Sequence, residues 1–167
     1  MITSMLTHDS RRSLVLQPDL ETALFGATAL LRVLVVDDDP ATGQLLSLVG
    51  EKEGLQIVSV DDGRKAYRML KSDANFAAAV FNMTIPSLKG LDLVRHMKTE
   101  KRLMRIPIVI VAGDNGLQLI SESFAAGALA FLPKPFTGEK LARTLVLAIG
   151  SQAGRKKADA RTGKLAA

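Results

Sequence analysis

The sequence contains no cysteine, and no apolar run in it is long enough to cross a bilayer. The missing thiols exclude disulfides, zinc–thiolate sites and catalysis by a thiol, which agrees with a reducing compartment. A membrane-spanning helix needs about 18 or more predominantly apolar residues, so the sequence predicts no membrane span. The N-terminal segment also lacks a basic stretch leading directly into an apolar core. We therefore expect no signal peptide and a cytoplasmic location.

The charge that is present is unevenly distributed along the 167 residues, whose formal net charge is +5. Residues 1–31 carry two basic and three acidic side chains, residues 32–150 carry fifteen and thirteen, and residues 151–167 carry five and one. A chain of this length is most simply one domain with appendages. We expect a leader at 1–31 with a short helix from Leu20 toward Leu31, a domain at 32–150, and a basic, flexible C-terminal tail at 151–167.

The stretch from Val33 to Pro40 has the strongest local pattern in the chain. Val33 to Val36 is a continuous, mostly β-branched apolar run, which is typical of a parallel strand covered on both faces. Three carboxylates follow it directly, and proline then suits the first turn of a helix. Carboxylates this close repel one another unless a cation or a basic side chain offsets them.

Apolar strand-like runs alternate with helical patterns five times after Arg32. The predicted strands are 33–36, 55–60, 77–81, 106–111 and 128–132, and the predicted helices are 40–53, 63–71, 91–100, 116–126 and 137–149. Five such units predict an α/β fold of three layers, in which helices cover both faces of a five-stranded parallel sheet.

Polar residues follow several of these strands, and in an open α/β sheet ligands bind beyond the carboxyl ends of the strands. Asp37 and Asp38 follow the first strand, and Asn82 closes the third. Ala112 closes the fourth strand, and Lys134 follows the fifth. We therefore expect these residues to meet at one edge of the sheet.

Four motifs occur in order along the chain: VLVVDDDP at 33–40, a loop from Pro86 to Gly90, PIVIVAG at 107–113, and GALAFLPKPF at 127–136. With these motifs, residues 32–150 resemble the receiver domain of two-component response regulators, which has a flavodoxin-like fold. The resemblance implies a non-enzymatic signalling module. In combination the motifs are specific, although LPKPF alone would be weak.

The resemblance assigns roles to the residues that match. Asp37 and Asp38 correspond to the acidic pair that binds a divalent cation, with Asp38 the more direct ligand. Lys134 corresponds to the lysine that pairs with the phosphoryl oxygens. Phe131 corresponds to the aromatic residue that switches position on the fifth strand.

Two positions depart from the family pattern. Asn82 occupies the position of the phosphoacceptor aspartate, and a carboxamide is not a nucleophile that can form an acyl phosphate. Ala112 occupies the position of the hydroxyl residue that contacts the phosphoryl group. Without the third carboxylate, any Mg²⁺ bound by Asp37, Asp38 and the Thr84 carbonyl should be weak, because this cation prefers several oxygen ligands. No cofactor is therefore required.

Lys134 has no phosphoaspartate to meet, so we expect its ammonium to pair with Asp37 or Asp38. This arrangement would hold the strand ends together and lock one conformation. We favour it over retained metal chemistry.

Other candidates have simpler explanations. Thr84 and Ser87 could be substitute phosphoacceptors, but beside Pro86 they are better read as turn formers. His8 and His96 are isolated, and His96 is expected at the surface. The basic residues Lys98, Lys101, Arg102 and Arg105 could bind an anion, but we favour a solvated helix end, since no aromatic residue is interleaved to stack a base.

The interpretation that we favour is a stand-alone, atypical receiver that acts as a phosphorylation-independent signalling adaptor. We expect its partner to be a histidine kinase, a phosphotransfer protein or a downstream effector, docked on the face of the fourth helix, fifth strand and fifth helix. That face would include Leu117, Ile120, Phe131 and Leu141, and a homodimer is a further alternative.

Two other functions remain open from the sequence. One is a conventional phosphoryl-accepting receiver, with Mg²⁺ as cofactor, in which Asn82 stands in place of a native aspartate. The other is a receiver scaffold whose basic segments bind an anionic second messenger or, less plausibly, nucleic acid.

Overall fold

The computed structural model describes residues 30–163 of the chain. Five strands alternate with five helices: β1 (Leu31–Val36), α1 (Pro40–Glu53), β2 (Leu55–Val60), α2 (Gly63–Ser72), β3 (Ala78–Asn82), α3 (Gly90–Thr99), β4 (Ile108–Ala112), α4 (Leu117–Ala126), β5 (Ala130–Pro133) and α5 (Gly138–Gly163). The strands form one sheet in the order β2-β1-β3-β4-β5, and every neighbouring pair is parallel. The predicted α/β architecture is therefore confirmed.

Each face of the sheet has its own apolar core, because neighbouring residues of a strand point to opposite faces. Val33 and Val35 of β1 belong to the core beneath α1 and α5. Leu34 and Val36 belong to the core beneath α2, α3 and α4. All four of these residues are essentially inaccessible to solvent. A β1 strand buried on both faces accounts for its unbroken apolar sequence.

The helix ends follow local sequence signals. Asp39 caps α1, where its carboxylate accepts a hydrogen bond from the Ala41 N–H, and Pro40 takes the first helical position. Asp62 caps α2 in the same manner, with bonds from the N–H groups of Arg64 and Lys65. Caps of this kind satisfy backbone donors that have no partner inside the helix. The two caps also fix where the residues after β1 and β2 lie.

Three details differ from the sequence-based expectations. Leu31 begins β1 and is buried, whereas we expected it at the end of a leader helix; residues 20–29 of that predicted helix lie outside the described residues. The last helix does not end at Gly150 but continues to Gly163. The sequence pattern of α1 predicts Leu45, Leu46, Leu48 and Val49 on the side that faces the core, but Leu48 is 64% exposed.

The extension of α5 has identifiable contacts. The Ser151 Oγ donates a hydrogen bond to the Ala148 carbonyl inside the helix, at 2.7 Å. The Gln152 side-chain amide donates to the Arg105 carbonyl at 2.9 Å, which ties the helix to the chain before β4. These bonds offset the roughly 1 kcal/mol by which a glycine inside a helix is less favourable than alanine.

Candidate functional site

The end of β1 places one aspartate inside the protein and one outside. Asp37 directly follows the strand, its N–H donates to the Val60 carbonyl at 3.1 Å, and its side chain is 1% exposed. Asp38 is exposed, at the rim of a cleft beside the β3–α3 loop. The two carboxylates that the sequence groups together therefore have different surroundings, and only Asp37 needs partners within the protein.

Asn82, the last residue of β3, supplies one of those partners. Its side-chain Nδ2 donates to Asp37 Oδ1 at 2.9 Å, and its Oδ1 accepts the Thr84 N–H at 3.4 Å. These neighbours fix the orientation of the carboxamide, because a flipped amide would set oxygen against oxygen at Asp37 and N–H against N–H at Thr84. The neutral side chain is thus bonded directly to the buried carboxylate.

Lys134 supplies the second partner from the end of β5. Its backbone N–H donates to the Ala112 carbonyl at 2.8 Å, which holds the residue at the edge of the sheet. Its Nζ lies 2.9 Å from Asp37 Oδ2 and 3.6 Å from Asp39 Oδ2. Of the two partners that the sequence left open, Asp37 and Asp38, the structure places the ammonium against Asp37. Asp39 is a further contact that we did not anticipate.

Every oxygen of the Asp37 carboxylate is engaged. Oδ1 accepts hydrogen bonds from the Asn82 amide and from the Asp39 N–H, the latter at 3.0 Å. Oδ2 accepts from the Lys134 ammonium. Buried charges persist in proteins when they are paired and hydrogen-bonded in this way. The charge of Asp37 therefore has a partner within the protein.

A Mg²⁺ ion at this site would compete with the present partners of Asp37. Such an ion would bind through one or two carboxylates and several waters, but the Asp37 oxygens already accept from an amide, an N–H group and an ammonium. Asp38 and the Thr84 backbone carbonyl are the other oxygen donors that the sequence suggested. Within residues 30–163, no three His, Cys, Asp or Glu side chains form a group suited to a metal ion. A cation bound at Asp37 would have to share that carboxylate with the Lys134 ammonium.

Ala112 and Phe131 lie on neighbouring strands beside this pocket. β4 and β5 pair so that Ala112 is opposite Pro133 and Ile110 is opposite Phe131. Ala112 is 3% exposed and belongs to the core beneath α4. The half-buried Phe131 ring packs against the same core. Position 112 therefore offers no hydroxyl to the pocket.

The β3–α3 loop beside the pocket is held by contacts that sequence reasoning missed. Ser87 has a left-handed backbone, with φ of 70°, and its hydroxyl donates to the Asp62 carboxylate. Ser87 is therefore tied into a turn. Gly90 begins α3 so close to β3 that a Cβ there would lie 2.4 Å from the Asn82 carbonyl oxygen. Only glycine can be accommodated at such a close approach. In the sequence, the one sign of this contact is the spacing between Asn82 and Gly90.

Two carboxylates near the pocket have lowered pKa values. For Asp39 the main cause is the hydrogen bond from the Ala41 N–H, followed among the lowering effects by the charge of Lys134. For Asp62 the main cause is the hydrogen bond from the Ser87 hydroxyl. Hydrogen bonds and positive charge both favour the ionised form of a carboxylate.

The remaining candidates from the sequence lie elsewhere. Thr84 is exposed at the rim of the cleft. His96 is not an isolated surface residue, since its ring lies 4.5 Å from that of Tyr67 and its Nε2 is buried without a hydrogen-bond partner. Leu141 is fully buried, so our expectation that it contacts a partner protein is wrong. His8 lies outside the described residues.

Residues 33–146 match the family model of the response regulator receiver domain. The chain belongs to this family. Its sequence is 25% identical over 122 residues to the chemotaxis protein CheY1 of Helicobacter pylori, covering 72% of this chain and 98% of that protein. It is 24% identical over 135 residues to the cell cycle transcriptional regulator CtrA of Caulobacter vibrioides, covering 81% of this chain and 57% of CtrA. The chain thus spans little more than half of that relative.

Solved structures give the same family and fold. The receiver domain of a sensor histidine kinase from Pseudomonas aeruginosa, which has a magnesium ion coordinated in its active-site cleft, is 28% identical. It superposes with a TM-score of 0.65 over 73% of this chain and 99% of that one. None of the helices in the described part of the receiver combines the length and the apolar character that a membrane crossing requires.

Proposed function

We propose that this receiver transmits a signal without being phosphorylated, as an adaptor that acts through protein–protein contact. The observation that carries the proposal is the 2.9 Å hydrogen bond from the Asn82 carboxamide to the buried carboxylate of Asp37. In the family, the residue at position 82 is the phosphoacceptor. Here it is a neutral side chain whose polar atoms both serve the structure.

The chemistry of Asn82 supports this proposal. Acceptance of a phosphoryl group needs a nucleophile that attacks phosphorus and becomes an acyl phosphate. The lone pair of an amide nitrogen is delocalised, and the amide oxygen carries no formal charge. Of the neighbouring hydroxyls, Ser87 is hydrogen-bonded to Asp62, and Thr84 is exposed at the rim of the cleft. We therefore propose neither hydroxyl as a substitute phosphoacceptor.

The electrostatics of the pocket point the same way. The family lysine, here Lys134, pairs with Asp37 at 2.9 Å, and its side chain is 20% exposed. A phosphoryl group would have to compete for this ammonium against a carboxylate that is almost inaccessible to solvent. Removing one partner from such a pair leaves an uncompensated charge, which costs about 3–5 kcal/mol when the pair is buried. We infer that the pair holds one conformation of the β5 end.

The switch residues lack their usual trigger. A hydroxyl at position 112 would follow the phosphoryl group, but Ala112 cannot do so. Phe131 packs against the core that contains Ala112, and we propose that its ring keeps one rotamer. Output would then depend on the presence of a partner, and not on modification of the receiver.

The proposed partner surface is the face of α4, β5 and α5. Leu117 at the start of α4 is 86% exposed, and Leu147 on α5 is 74% exposed. Both side chains are apolar and would be removed from water by a bound partner. The partner would be another component of a two-component pathway: a histidine kinase, a phosphotransfer protein or a downstream effector.

The proposal is tested by intact-mass spectrometry after incubation with Mg²⁺ and a small phosphodonor such as acetyl phosphate. We expect no phosphoryl adduct on the unaltered protein. Asn82→Asp, which restores the nucleophile, is the matched control and should gain one phosphoryl group. A stable adduct on the unaltered protein would overturn the proposal.

A further inference from the structure

A small cavity of about 150 Å³ lies where β4 and β5 begin, at the end of the sheet opposite to Asp37. It is enclosed by the end of α3, the connection from α3 to β4, the connection from α4 to β5, and α5. Its lining contains three cationic side chains, Lys98, Arg105 and Arg155, and no carboxylate. Gln152 and Ser151 add polar groups to the same wall.

Lys98 is the innermost of the three cations. Its Nζ donates to the Met104 carbonyl at 3.2 Å and to the Ile106 carbonyl at 3.5 Å, so one N–H of the ammonium is left for a further partner. Its aliphatic stem passes over Gly127, where a Cβ would lie 2.7 Å from Lys98 Cγ. Because Gly127, with φ of 114°, has no side chain, the Lys98 side chain can pass over it into the cavity.

The surroundings disfavour the charge on Lys98. Burial lowers the pKa of its ammonium, and the positive charge of Arg155 lowers it further. Desolvation and a like charge both penalise the protonated form, and an anion nearby would relieve both. A charge in this setting requires a negative partner more than a solvated surface lysine does.

Arg105 and Arg155 complete the cluster from opposite sides. The Gln152 side chain donates to the Arg105 carbonyl at 2.9 Å, so the loop that carries Arg105 is fixed to the helix that carries Arg155. Several cations elsewhere on the receiver have carboxylate partners, such as Lys65 with Asp61 and Arg143 with Glu139. Among the described residues, none of the three cations of the cavity takes part in an ion pair.

We infer that this cavity binds a small phosphate-bearing anion, held by Lys98, Arg105 and Arg155. The cavity is concave and has room for a phosphate or diphosphate group, and guanidinium groups present paired donors that suit phosphate oxygens. It has no aromatic side chain on which a base could stack, so the charged group is the part of the ligand that is recognised. The site is separate from the pocket of Asp37 and does not depend on phosphoryl transfer.

The test is a titration of the ¹⁵N-labelled protein with inorganic pyrophosphate in Mg²⁺-free buffer, matched with sodium chloride at equal ionic strength. We expect saturable shifts confined to the amides of residues 104–107, 127–129 and 151–155. A parallel titration with ADP distinguishes free diphosphate from the diphosphate of a nucleotide. Tighter binding of ADP identifies a nucleotide, whereas equal binding identifies the diphosphate alone.

Arg155→Gln should weaken pyrophosphate binding about tenfold, the effect of losing one charge-assisted hydrogen bond. Lys101→Gln is the matched control, because it removes the same charge from an exposed neighbour outside the cavity, and it should change the affinity less than about twofold. Lys98→Met is less suited, since Lys98 also holds the loop before β4. Absence of saturable shifts, or equal weakening by both substitutions, would overturn the inference.

Discussion

The two edges of the sheet treat charge in opposite ways. At the carboxyl edge, the buried carboxylate of Asp37 is bonded to Asn82 and Lys134, so its charge is matched within the protein. At the other edge, Lys98 lies beside Arg155 in a cavity without a carboxylate. In the pocket that matches the family's cation and phosphoryl site, Asp37 therefore has partners within the protein. The cavity that contains Lys98, Arg105 and Arg155 lies at the opposite ends of the strands.

The comparison directs attention to Lys134, which matches the family pattern and pairs with Asp37 in this structure. Under the function proposed above, this pair takes the place of a contact with a phosphoaspartate. Substitutions at Lys134, Asn82, Ala112 and Ser87 test how far the pocket of Asp37 depends on its internal contacts.

Lys134→Met tests the internal closure most severely. It leaves the buried Asp37 carboxylate without its cation, so we expect the free energy of unfolding to fall by about 3 kcal/mol. Urea denaturation measures the change. Adding Asp37→Asn should recover part of the loss, because the charge that needed a partner is then gone.

The matched control for that substitution is Lys140→Met on the exposed side of α5. It removes the same charge where no ion pair involves Lys140 among the described residues, and it should change stability by less than about 0.5 kcal/mol. Equal effects at the two lysines would contradict the internal closure of the pocket.

Asn82→Asp converts the closed pocket into one that requires a cation. A second carboxylate would face Asp37 where the amide now donates at 2.9 Å, so without metal we expect a loss of about 1–3 kcal/mol. Mg²⁺ at about a hundred times its Kd should then restore about 2.7 kcal/mol. Thermal unfolding with EDTA and with Mg²⁺ measures both effects. The unaltered protein should show no such dependence on Mg²⁺.

Ala112→Thr asks whether a hydroxyl alone could revive the pocket. Because Ala112 is 3% exposed in a packed core, the larger side chain should cost about 1–2 kcal/mol by overpacking. It should not allow phosphorylation while Asn82 remains. Urea denaturation gives the first quantity and intact mass the second. A phosphoryl adduct on this variant would show that Asn82 is not the block.

The smallest expected effect concerns the pH dependence of the loop beside the pocket. The Ser87 hydroxyl is the main cause of the lowered pKa of Asp62. The pKa of Asp62 in the folded protein lies below its value in the unfolded chain. The contribution of Asp62 to stability is therefore present above a pH of about 4 and is lost as the pH falls through the folded pKa.

An NMR titration of the Asp62 carboxyl carbon measures this effect. Ser87→Ala should raise the pKa of Asp62 in the folded protein. The pH range over which the ionisation of Asp62 changes the free energy of unfolding should then become narrower. An Asp62 pKa that does not respond to Ser87→Ala would mean that the hydroxyl does not hold the loop in solution.

Much of the fold could be predicted because its signals are local. The unbroken run from Val33 to Val36, the proline at 40 and the glycine at 54 mark a strand and a helix with its two ends. The predictions were wrong where the structure depends on a contact between distant residues or on the side of a helix to which a residue points. Gln152 reaches Arg105 from beyond the expected helix end. Leu48 lies outside the buried stripe formed by Thr42, Leu46, Val49 and Glu53.

The sequence was enough to predict which residues meet at the site, but not which hydrogen bonds they form. The order of a parallel sheet is enough to bring Asp37, Asn82 and Lys134 to one edge. It does not say that Asp37 is buried while Asp38 is exposed, or which way the Asn82 amide points. Those features depend on contacts between distant parts of the chain, that of Asp37 with the Val60 carbonyl and that of Asn82 with Asp37. The role of Gly90 likewise follows from a close approach that composition cannot reveal.

The most direct test of the central claim is an NMR spectrum of the unaltered protein with Mg²⁺ and beryllofluoride, which mimics a phosphoryl group. If Asn82 and Lys134 close the pocket around Asp37, the signals of β5 and the Phe131 ring will match those in Mg²⁺-free buffer of equal ionic strength. Saturable shifts at Asn82, Lys134 and Phe131 would contradict the account, because they would show a pocket that still opens and switches.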